Sequence, residues 1–92
     1  MTLPALRARI DAADEALLRA LAERYAAVQR LAELKRTEGL TPVDPAREAA
    51  LEARWRDLSR DLGLPEELAL AVLSEVLRGC RAAVVARCRA GP

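Results

Sequence analysis

The residues that could do chemistry in this sequence are charged, and they fall into two groups. The first lies in the stretch Thr41-Pro42-Val43-Asp44-Pro45-Ala46-Arg47-Glu48. Asp44 reads as a helix N-cap, its carboxylate accepting from the free backbone N–H groups of the next turn. Pro45 takes the first helical position, where a missing N–H costs nothing. Arg47 and Glu48 then lie three and four residues past the cap, on the same side of the first turn as Asp44. One cation and two anions converge at a helix start, either as a capped helix with a local ion pair or as part of a site. The second group is Arg7, Arg24 and Lys35. Arg24 and Lys35 are eleven residues apart, about three full turns, so both tips can reach one small ligand lying between them. Arg7 sits about 25 Å from Arg24 along the same helix, out of reach within one chain. In an antiparallel dimer, a partner's Arg7 would arrive there. Taken singly, each cation also reads as ordinary solubilising surface charge.

The elements that must position these groups are helices. Apolar residues recur at Leu3, Leu6, Ile10, Ala13, Leu17, Leu21, Val28, Leu31 and Leu34, mostly at steps of three and four. The pattern predicts a first helix from near Thr2, with Pro4 in its first turn, to about Glu38, where Gly39 stops it. Such a helix is about 54 Å long. No 92-residue globule is that wide, so the protruding face needs a partner, most simply a second copy. A second helix runs from Pro45 to about Leu62, with Ala49, Leu51, Trp55, Leu58 and Leu62 as its apolar positions and Gly63 as its cap. Pro65, Glu66 and Glu67 open a third, the acids suiting the positive end of the helix dipole. It carries Leu68, Val72, Leu73, Val76, Leu77, Cys80, Val84 and Cys88; arginines crowd its end, and Gly91-Pro92 closes the chain. There is no strand pattern and no repeat.

Composition agrees with a small all-α domain spanning 1–92. Hydrophobic residues make up 52%, yet the aromatics are only Trp55 and Tyr25, and the abundance of alanine, leucine and arginine favours helix. A net charge of +1 suggests neither a nucleic-acid partner nor a membrane surface. No apolar run approaches the roughly 20 residues of a membrane span, and the N-terminus lacks a basic-then-apolar signal pattern. The expected location is the cytoplasm. Cys80 and Cys88 are eight residues apart on one helix, about 12 Å along its axis and too far for a disulfide. With no histidine and no Cys-x-x-Cys, a zinc site has little support.

The spacing nevertheless forms a pattern. Leu6-Arg7-x-x-Ile10-Asp11-x-x-Asp14-x-x-Leu17-Leu18-x-x-Leu21-Ala22-Glu23-Arg24 resembles the opening of the all-helical chorismate mutases. Lys35 and then Val43-Asp44-x-x-Arg47-Glu48 continue the match, which covers about residues 5 to 88 without gaps. The resemblance implies an intertwined homodimer of three-helix subunits with two equivalent sites, each taking Arg7 from the neighbouring chain. It implies a Claisen rearrangement of the dicarboxylate chorismate to prephenate, in aromatic amino-acid biosynthesis, with no metal and no cofactor. Arg24 and the partner's Arg7 would hold the carboxylates through their planar forks, with Arg47 assisting. Lys35 would donate to the ether oxygen as charge grows there, and Asp44 and Glu48 would receive the ring hydroxyl. Another enzyme of the shikimate pathway is a candidate docking partner.

The sequence departs from the resemblance on the third helix. Cys80 stands where the family often has serine, and Val84 stands where it has a glutamine or glutamate that gives the ether oxygen a second hydrogen bond. Three readings stay open. One is a chorismate mutase in which Lys35 carries the ether oxygen alone, weak or partner-assisted. Another is a mutase of 4-amino-4-deoxychorismate in a specialised pathway, whose ring ammonium Asp44 and Glu48 would also accept. The last is a catalytically silent helical dimer that binds or regulates. The isochorismate-cleaving lyases of the superfamily fit less well, because both acids are present.

Overall fold

The computed structural model describes residues 1–90. Gly91 and Pro92, expected to close the chain, lie outside the described residues. Three helices account for nearly all of it: α1 (Leu3–Glu38), α2 (Pro45–Asp61) and α3 (Glu66–Arg89). The boundaries of α1 and α2 have local causes. Thr2 caps α1, its hydroxyl accepting from the Ala5 N–H at 3.2 Å, with Pro4 in the first turn. Gly39 then enters the left-handed region at φ 67°, and the Leu40 N–H donates back to the Lys35 carbonyl at 2.8 Å. That fold-back satisfies a carbonyl the helix end would leave open. The same device ends α2. Leu62 occupies the cap, Gly63 has φ 69°, and the Leu64 N–H donates to the Ser59 carbonyl at 2.8 Å. Asp44 caps α2 as its position predicts, accepting from the Arg47 N–H at 3.1 Å.

Helix α3 is the hub. It packs on both α1 and α2, while α1 and α2 do not pack on each other. The buried residues follow from that arrangement: Ala69, Leu73, Cys80 and Val84 on α3, Ala32 on α1 and Ser59 on α2. Ion pairs fasten the seams. Glu33 of α1 meets Arg87 of α3 at 2.7 Å, and Glu66 of α3 meets Arg56 of α2 at 3.1 Å.

The chain measures 55 × 24 × 15 Å, and α1 alone, at 36 residues, supplies the long axis. Its radius of gyration is 16.4 Å, against about 12 Å for a compact domain of this length. Every residue from Met1 to Glu23 is exposed. The expected apolar stripe therefore lies open over half of α1, with Leu17 61% and Leu18 64% exposed. Among the described residues, no helix is long and apolar enough to cross a membrane.

Candidate active site

The C-terminal half of α1, the segment 42–44, the start of α2 and the middle of α3 enclose a cavity of about 310 Å³. Arg24, Lys35, Asp44, Arg47, Glu48, Cys80 and Val84 all line it. Seven residues singled out in the sequence, five by spacing and Cys80 and Val84 through the resemblance, thus meet at one place. The elements explain how. Three turns of α1 separate Arg24 from Lys35, and the Gly39 turn brings segment 42–44 back against the end of that helix. The Asp44 cap then sets the first turn of α2 beside it.

Several of the charged tips rest on partners within the chain. Lys35 Nζ donates to the Pro42 carbonyl at 2.8 Å, pinning the connecting segment to α1. Arg24 Nη1 donates to Cys80 Sγ at 3.3 Å, joining α1 to α3. Cys80 and Cys88 are both free thiols. Asp44 spends one oxygen on its cap, which orients the carboxylate at the cavity wall. Among the described residues, the Arg47 guanidinium makes neither an ion pair nor a hydrogen bond within the chain. The wall at Val84 is apolar and buried, so it offers no hydrogen-bond donor.

Two observations correct or extend the reading of the sequence. The local ion pair considered for the first turn of α2 is not formed; Glu48 pairs instead with Arg81 of α3. Arg81 Nη2 donates to Glu48 Oε1, and Arg81 Nε lies 3.3 Å from Oε2. Arg81 also lines the cavity, a role spacing had not assigned to it. Its signal was nonetheless present: Leu77, Cys80, Arg81 and Val84 follow the i, i+3, i+4, i+7 rhythm of one helix face. An arginine on that otherwise apolar face required a partner. Arg7, by contrast, is exposed on the first turns of α1, about 25 Å along the helix from Arg24, and it does not line this cavity.

The arrangement can do specific work. Cations on several sides suit a small molecule carrying more than one carboxylate, and the two acids add acceptors for a hydroxyl. Comparison with known proteins points the same way. The family model for chorismate mutase type II matches residues 6–84. The chain is also 42% identical over 76 residues to a T-protein of Enterobacter agglomerans, an alignment covering 83% of this chain and 20% of that protein. This chain thus spans about a fifth of the length of that curated relative. Because the match covers most of the chain and every residue named on the cavity wall, the chain belongs to the chorismate mutase type II family.

Proposed function

We propose that this cavity rearranges chorismate to prephenate, and that the chain acts as one helical domain in an intertwined homodimer. The observation that carries the reading is the convergence of Arg24, Lys35, Asp44, Arg47 and Glu48 on one cavity, in a chain of this family. In the reaction an ether C–O bond breaks and a C–C bond forms within one molecule, so electrons and atoms balance without a second reactant. The protein's work is to hold the folded conformer and to stabilise the charge that develops as the ether opens. Holding that conformer removes an entropic part of the barrier.

Each residue has a task that its surroundings support. Arg24 and Arg47 grip carboxylate, and Arg7 of the partner subunit supplies the remaining fork. Lys35 exchanges the Pro42 carbonyl for the ether oxygen, where its hydrogen bond strengthens as negative charge grows. Asp44 and Glu48 accept from the ring hydroxyl. Val84 leaves Lys35 as the donor on its side of that oxygen.

The open face of α1 supports the dimer. A run of exposed leucines and isoleucine over the first 23 residues is a larger apolar surface than a soluble monomer keeps uncovered. A second copy covers it and brings Arg7 to the opposite site. A cytoplasmic biosynthetic setting, with docking of another pathway enzyme on the dimer, agrees with this reading.

The test is direct. Purified protein should consume chorismate and release prephenate, and a bicyclic analogue of the transition state should inhibit it and raise its Tm. A folded dimer that neither turns over chorismate nor gains stability from the analogue would leave only a binding module.

A further inference from the structure

We propose that Arg81 is a specificity-determining residue, making the cavity favour a neutral hydroxyl over a protonated amine on the substrate ring. The inference rests on the rearrangement reading above and concerns the Glu48 end of the same cavity. Glu48 is one of two acids offered to the ring substituent, and the Arg81 fork engages both of its oxygens. A hydroxyl carries no charge and needs one acceptor lone pair, which the fork leaves open on the carboxylate. An ammonium seated on the same acid sits within a few ångströms of the guanidinium and is repelled by it. The rest of the cavity adds to the bias. Arg24, Lys35, Arg47 and Arg81 line it against only Asp44 and Glu48, so without Arg81 the excess of positive charge falls. The Arg81 side chain is 43% exposed and that of Glu48 is 28% exposed, and water softens the repulsion. The expected discrimination is therefore on the order of tenfold rather than thousands.

The experiment measures kcat/KM for chorismate and for 4-amino-4-deoxychorismate with wild-type protein, Arg81→Gln and Arg81→Lys. Wild type should prefer chorismate. Arg81→Gln should move the ratio of the two values toward the amine by on the order of tenfold, whereas Arg81→Lys, which keeps the charge, should hold the wild-type preference. A merely structural role for Arg81 would lower both substrates together and leave the ratio unmoved. Glu48→Gln provides a second arm should Arg81→Gln fail to fold: removing the anion while keeping Arg81 should push the ratio further toward chorismate. An active wild type that prefers the amine, or a ratio indifferent to Arg81 and Glu48, overturns the inference alone. A folded wild type inactive on both substrates overturns the rearrangement reading, and the inference with it.

Discussion

Lys35 makes one contact in the structure and is proposed to make a second in the reaction, and loss of each should show in a different kinetic constant. Within the chain its ammonium holds the Pro42 carbonyl at 2.8 Å, and in the proposed reaction it meets the ether oxygen. Loss of the first contact loosens the segment leading into α2, a ground-state effect that should appear mainly in KM. Loss of the second removes stabilisation realised only in the transition state, which appears in kcat. Lys35→Ala is therefore expected to lower kcat by about 10²–10³, the usual cost of one oxyanion donor, with KM changing only a few-fold. Steady-state kinetics on chorismate would decide it. A large rise in KM at unchanged kcat would reduce Lys35 to a pin for the connecting segment. The same residues show how far spacing reads placement around one cavity. Arg24, Lys35, Asp44, Arg47 and Glu48 were legible because helix geometry and one cap fix their mutual positions over short separations. The Arg81–Glu48 pair joins residues 33 apart, and Arg24 finds Cys80 across 56. No local rule sets those distances; they depend on how α3 docks.

Helix α3 holds its two neighbours by a short apolar seam and by charge at its edges. Its buried side chains are small or medium in size, so the ion pairs matter more than they would beside a large core. Glu33 is the clearest case. Hydrogen bonds from Arg36 first and Arg87 second hold its carboxyl at about 2, well below the ordinary 4.5. A group whose folded value is depressed adds stability above its ordinary value and loses that contribution as pH falls through the folded one. Wild type should accordingly exceed Glu33→Gln in denaturation midpoint near neutrality, and the gap should close between about pH 4.5 and 2. High salt should narrow it too, because the pair is solvent-exposed. Urea melts across that range would show it, and a gap constant with pH would mean that the α1–α3 seam does not depend on this carboxylate. The helix boundaries themselves were readable because Thr2, Gly39, Asp44-Pro45 and Gly63 act on their own neighbours. Which faces pack was less so. Leu62 and Leu68 follow the apolar rhythm of α2 and α3, yet they are 77% and 51% exposed, since nothing within one chain covers them.

A single chain 55 Å long leaves half of its longest helix open. The proposed homodimer makes a prediction that no property of an isolated subunit can imitate. Each site would combine Lys35 of one chain with Arg7 of the other, so Arg7→Ala and Lys35→Ala should each be nearly inactive as homodimers. Unfolding the two variants together and refolding them at equal amounts mixes the chains. In a mixed dimer one site inherits both defects, whereas the other inherits an intact Lys35 from one chain and an intact Arg7 from its partner. If half of the dimers are mixed and each has one working site of two, about a quarter of wild-type turnover should return. The partners are matched in mass, so sedimentation would confirm that every sample is dimeric, and activity would report the exchange. Recovery no greater than the average of the two variants would mean that Arg7 serves its own chain or none. In that case the exposed face of α1 would still call for a partner, but the site would have to be complete without it.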